Sequence, residues 1–134
     1  MWQVEILEKE VVDELNTVTE VTQYDKSVMK VPYQNVPSDG NVYLLLNMKI
    51  SKKEAGNSSF SWDNVSIVGE NGSSFERLDD VFLTDHGYKR MGGTDIKIGE
   101  NTGWICFEIS KEASAQSLKF LYKSADGNIE ITID

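Results

Sequence analysis

The chain has 134 residues, 40% hydrophobic and 26% charged, which is a one-domain length with enough apolar material for a real core. Twenty-two acidic residues against 13 basic ones give a net charge of -9, a balance that opposes binding to phosphate backbones or to an anionic membrane surface. The basic residues are scattered, and the longest apolar run, Val42 to Leu46, falls far short of the ~20 residues a membrane-spanning helix needs.

Met1 is followed directly by Trp2-Gln3-Val4-Glu5-Ile6, which reads as a strand and has none of the regions of a signal peptide. Trp2 to Val12 alternates imperfectly, and its Glu and Lys content keeps a short helix over Glu8 to Leu15 as a rival. Asn16 to Tyr24 is rich in Thr and Val and reads as a strand. Pro32 and Pro37 bracket a segment too interrupted for regular pairing.

Asp39-Gly40 turns the chain into its strongest strand, Asn41 to Ser51. Val42, Leu44, Leu46, Met48 and Ile50 form an unbroken inward set, and apolar residues on both faces predict a central strand. Lys52 to Ser59 reads as a polar loop, Phe60 to Val68 as a strand, and Asn71-Gly72 as a hairpin signal before Ser74 to Leu78 returns. Asp79 to Lys97 is the least regular segment.

From Thr102 to Ile109 a further strand places Ile105, Phe107 and Ile109 on one face and Trp104, Cys106 and Glu108 on the other. Leu118 to Tyr122 alternates likewise, and Asp126-Gly127-Asn128 turns into a last strand, Ile129 to Ile133. About seven to nine short strands with almost no helix pattern predict an all-β fold, an antiparallel immunoglobulin-like β-sandwich forming a single domain over residues 1–134.

The strand Gly40-Asn41-Val42-Tyr43-Leu44-Leu45-Leu46-Asn47-Met48-Lys49-Ile50 resembles the central strand of a known family. So do Ser61 to Val68 with the turn Glu70-Asn71-Gly72, the turn Ile98-Gly99-Glu100, the strand Gly103 to Ile109, and the closing strand Ser117 to Tyr122. The family is the immunoglobulin-like domain of unknown function common in lipoproteins of Gram-positive bacteria, itself similar to a small secreted mycobacterial antigen. Ile98 stands where the family prefers proline, and Ser51-Lys52-Lys53 replaces its Asn-Thr-Gly. The resemblance implies export, a lipidated N-terminal cysteine outside this sequence as the sole membrane attachment, and no catalytic residues to carry over.

The constellations that could bear chemistry are few. Cys106 lies mid-strand between Ile105 and Phe107 and reads as a small buried hydrophobe. Glu70, Glu76, Asp79, Asp80 and Asp85 lack the alternation and glycine of an EF-hand and read as a solvated acidic loop, so no metal or other cofactor is expected. A hydrolase would use Asp79, Asp85 and His86, either with Asp79 and Asp85 as paired carboxylates or with His86 beside Asp85 activating a serine or Thr84 as nucleophile. Three N-glycosylation sequons, at Asn57, Asn64 and Asn71, carry meaning only in a eukaryotic secreted protein.

The aromatic residues point elsewhere. Trp62 and Trp104 sit on predicted strands and are expected to fill or rim the core, whereas Tyr88, with Lys89 and Arg90, lies in the irregular loop. The ligand-binding expectation is therefore Tyr88, Lys89, Arg90 and Trp62. The functional expectation is a non-catalytic extracellular binding or adhesion module of a cell-envelope lipoprotein, facing an unknown protein or cell-wall component. A carbohydrate-binding module is the second reading, and the hydrolase is the third.

Overall fold

The twelve residues Asn41–Lys52 are apolar on both faces over much of their length, and in the computed structural model of the chain they form the middle strand of a sheet. The structure describes residues 2–52, 60–91, 99–124 and 127–133 in full and 95–96 as backbone.

Eleven strands lie among these residues: β1 (Trp2–Val12), β2 (Leu15–Thr22), β3 (Val28–Asn35), β4 (Asn41–Lys52), β5 (Phe60–Ser61), β6 (Val65–Val68), β7 (Ser74–Phe75), β8 (Asp95–Ile96), β9 (Gly99–Ser110), β10 (Leu118–Ser124) and β11 (Gly127–Ile133). Every strand pairing is antiparallel. The orders are β1-β4-β9 and β11-β10-β6-β7 for the two main sheets, with two-stranded pairs β2-β3 and β5-β8 beside them.

Alternation decides what meets between the main sheets. Val42, Leu44, Leu46, Met48 and Ile50 of β4 and Ile105, Phe107 and Ile109 of β9 join Leu118, Phe120 and Tyr122 of β10 in one buried cluster. Phe60 stacks on Tyr122, with ring centroids 4.2 Å apart and planes 9° apart. The fold is thus an antiparallel β-sandwich, as the alternation predicts.

The outer face of β1-β4-β9 is covered as well. Tyr43, Leu45 and Cys106 point there and are buried with Leu15 and Leu83, flanked by Leu78, Phe82, Tyr88 and Trp104. This second core explains why β4 is apolar on both sides. A 3-10 turn, Val81–His86, supplies much of the cover.

Several expectations change at the level of single elements. β1 runs to Val12 as a strand, with a register shift between Ile6 and Glu8 that leaves Leu7 unpaired, and the rival helix does not form. Phe60 to Val68 is two strands, because a 3-10 turn over Trp62–Asn64 interrupts it. The crossing after β9 contains a short helix, Lys111–Ser114, whose first turn is capped by Ser110 Oγ accepting from the Ala113 N–H at 3.1 Å.

The Pro32 segment does pair: β3 runs alongside β2 from Val28 to Asn35, with Pro32 opposite Val18. A proline is tolerated there because β3 has a free outer edge toward which a missing donor can point. Much of the Lys52 to Ser59 loop, Asn57, Gly92-Gly93 and Ile98 lie outside the described residues.

Candidate functional site

The segment from Glu76 to Met91 crosses the outer face of β1-β4-β9 and is fixed to β9 along both its arms. On the incoming arm Arg77 bridges Phe107, and the Leu78 N–H donates to the Cys106 carbonyl at 3.0 Å. On the outgoing arm the Trp104 N–H donates to the Lys89 carbonyl at 2.8 Å, and the Met91 N–H returns to the Trp104 carbonyl at 3.0 Å. Gly103 makes this approach possible. A Cβ there would lie 2.5 Å from the Met91 nitrogen, closer than real atoms come.

Between the arms sits a buried ionic cluster. Asp80 is fully buried, and Arg77 grips it in fork geometry, Nε to Oδ2 at 2.7 Å and Nη2 to Oδ1 at 3.0 Å. Arg90 Nε donates to Asp80 Oδ1 at 2.6 Å, and the Cys106 N–H donates to Oδ2 at 3.1 Å. Arg77 also donates to the Met91 carbonyl, at 2.9 Å. One carboxylate therefore ties together the incoming arm, the outgoing arm and β9. It is also the residue that sequence reasoning placed in a solvated acidic loop.

The expected ligand-binding residues fall in different places. Trp62 and Arg90 line one cleft of about 460 Å³, together with Asp63, Glu76, Arg77, Leu78 and Asp79. Trp62 is 5% exposed; the Arg77 guanidinium lies 4.5 Å from its ring centroid, and Phe60 meets it edge-on at 5.1 Å. Its indole Nε1 is buried with no hydrogen-bond acceptor among the described residues. Arg90 is half-buried, so its guanidinium reaches both Asp80 and solvent.

Tyr88 does not line the cleft. Its hydroxyl donates to Glu10 Oε2 at 2.7 Å, and its ring packs edge-on against Trp104 at 5.0 Å. Burial, with the hydrogen bond to Glu10 and that carboxylate's charge, pushes the phenol up to about 12. Lys89 is exposed between the two.

The residues of the hydrolase reading are engaged elsewhere. His86 Nδ1 lies 2.7 Å from Thr17 Oγ1 and Nε2 lies 2.8 Å from Asn35 Oδ1, so both ring nitrogens face polar groups of β2 and β3. Thr84 Oγ1 donates to the Val81 carbonyl, while Asp79 and Asp85 are exposed. Cys106 is fully buried, and burial, then the charges of Asp80 and Glu108, push its thiol well above the usual range. Among the described residues no group of three or more His, Cys, Asp or Glu side chains is placed to hold a metal ion.

No family model matches the chain, and no curated protein matches it. Solved structures do. A candidate lipoprotein of Bacillus subtilis superposes with a TM-score of 0.58 at 15% identity over 99% of this chain, and this chain spans only 36% of that protein. A conserved hypothetical protein of Bacillus anthracis gives 0.57 at 13% identity, over 99% of this chain and 87% of the other. An uncharacterised β-sandwich protein of Clostridium difficile gives 0.52 at 10% identity, over 99% and 85%. At these identities the likeness establishes the β-sandwich fold. Among the described residues no helix is long and apolar enough to cross a membrane.

Proposed function

We propose that this domain is a non-catalytic binding module of a bacterial cell-envelope lipoprotein, immunoglobulin-like in type, and that it binds its ligand in the cleft between Trp62 and Arg90. One observation carries the reading. The cleft brings together Trp62, whose indole N–H is buried with no acceptor among the described residues, and Arg90, whose side chain is held by Asp80 and only partly buried. Arg90 offers charged donors to an acceptor-bearing ligand in the cleft, and a hydrogen bond from a charged donor is worth ~1.5–3 kcal/mol. Loops fixed on a scaffold are the usual carriers of recognition, and Glu76 to Met91 is such a segment. The Gram-positive neighbours, one of them a candidate lipoprotein, support the envelope setting.

The test is thermal unfolding against soluble cell-wall fragments and oligosaccharides. A ligand that binds only the native state at a hundredfold excess over its Kd adds ~2.7 kcal/mol and raises the midpoint. The shift should vanish in Arg90→Gln, which keeps a polar side chain and removes the guanidinium from the cleft. A flat panel, or a shift that survives Arg90→Gln intact, overturns the assignment.

A further inference from the structure

The β2-β3 ribbon stands outside both layers of the sandwich and carries exposed apolar side chains on both strands and at its turn. Of nine large hydrophobic residues exposed among the described residues, five lie on it: Val18, Val21, Tyr24, Val28 and Met29. Two-stranded ribbons alone are marginal in water, and this one is anchored at its base. Leu15 is buried in the second core, and His86 engages Thr17 on β2 and Asn35 on β3.

The two edges of the ribbon differ. The Gln23 N–H donates to the Ser27 carbonyl at 2.7 Å, which sets the alternation of the ladder. Counting back from that pair, Val21, Thr19 and Thr17 turn their backbone groups toward β3, whereas Thr22, Glu20, Val18 and Asn16 turn theirs to the outer edge, which pairs with no other strand among the described residues. Pro32, opposite Val18, falls in the class that needs no donor within the ribbon, in agreement. The β3 edge is guarded by Pro32 and Lys30, the devices that block strand addition. The β2 edge has neither a proline nor a lysine over its eight residues.

Charge selects the occupant. The ribbon holds Glu20, Asp25, Lys26 and Lys30 and so carries none of the net charge of -9. A cationic partner would be drawn to the acidic body, whereas the ribbon, with no net charge, adds nothing to the repulsion between two copies of net charge -9. We infer that β2 is a self-association edge, where two copies pair antiparallel, β2 to β2, into a four-stranded sheet.

A two-fold axis at Thr19 sets Val18 opposite Glu20 and Asn16 opposite Thr22 of the second copy. It uses every outward donor and acceptor and keeps the two Glu20 carboxylates apart. At ~3.4 Å per residue the pairing runs ~27 Å, with about eight hydrogen bonds. The dimer needs no ligand, so its test is independent of the cleft.

Sedimentation velocity of the full chain over a concentration series should show a monomer–dimer equilibrium. Val18→Pro, which removes an outward donor as Pro32 does on the other edge, should leave a monomer whose unfolding midpoint no longer rises with protein concentration. Thr19→Cys places a thiol opposite its own copy at the axis, where facing Cβ atoms lie ~4.5–5.5 Å apart. Mild oxidation should therefore convert it to a disulfide dimer much faster than Tyr24→Cys at the exposed tip. The thiol test decides the matter even where Val18→Pro fails to fold. A wild-type chain that stays monomeric throughout, or a Thr19→Cys no faster than Tyr24→Cys, overturns the inference and assigns the ribbon to another protein or to none.

Discussion

Replacing Asp80 by Asn is the most demanding perturbation of the site, because it keeps shape and removes only charge and acceptors. The wild-type carboxylate accepts four hydrogen bonds, two from Arg77 and one each from Arg90 and the Cys106 N–H. An amide offers a single oxygen and turns two N–H donors against guanidinium donors. The Arg77 side chain is 7% exposed and cannot move to water without detaching the segment, whereas Arg90, at 26%, can. Breaking a buried ion pair from one side costs ~3–5 kcal/mol. At ~2.1 cal/mol/K of unfolding entropy per residue over 134 residues, Asp80→Asn should lower Tm by ~11–18 °C. Calorimetry and urea titration measure it directly. Arg90→Gln, which leaves Arg77 and the backbone N–H on the carboxylate, should cost only about 1–2 kcal/mol. A loss below ~1 kcal/mol in Asp80→Asn would refute the view that this carboxylate holds the segment down.

The remaining expectations follow from the same packing. The Tyr88 phenol is held protonated by burial and by Glu10, so its folded value of about 12 lies above the ordinary value of 10.0. Its stabilisation is full below pH ~10 and is lost as pH rises toward 12. The phenolate absorbance titration should therefore contain a late component near pH 12, which Tyr88→Phe should remove. Cys106 should react with thiol reagents only at the rate of global unfolding, because its sulfur is fully buried and its thiol is pushed up. Gly103→Ala should cost at least ~1–3 kcal/mol, since the added methyl meets Met91 backbone rather than a movable side chain. Leu45→Ala, on the outer face of β4, should cost ~2–5 kcal/mol in urea unfolding, as much as Leu44→Ala on the inner face.

The parts of the fold legible in the sequence were those governed by period-two alternation. β4, β9 and β10 each declare their inward faces, and the inward sets Val42 to Ile50 and Ile105 to Ile109 meet where the pattern puts them. The outer-face core was not legible as a place. Tyr43 and Leu45 announce burial on that side, but the covering residues Leu78 and Leu83 are scattered through an irregular polar stretch without periodicity. Pro32 misled because a proline excludes only the interior of a sheet, and no local signal marks β3 as an edge. The candidate site was half legible: Trp62 and Arg90 line one cleft, but the Tyr88 hydroxyl is committed to Glu10, 78 residues away. Asp80 reads as solvated because its partners are assembled by the fold, 3, 10 and 26 residues away.

The segment Glu76 to Met91 has three jobs, and the chemistry of each constrains the others. Its underside, through Leu78, Phe82 and Leu83, closes the outer-face core, which requires it to lie flat on β4 and β9. Lying flat brings Asp80 into an apolar interior, where a bare carboxylate is untenable and Arg77 and Arg90 must follow it. Arg77 in turn covers Trp62 and helps build the cleft wall, while Arg90 keeps one side in water. At the far end of the 3-10 turn, His86 reaches the base of the ribbon. The cleft and the ribbon are therefore two outlets of one rigid cap, and the buried carboxylate at its centre sets the geometry of the first and anchors the support of the second.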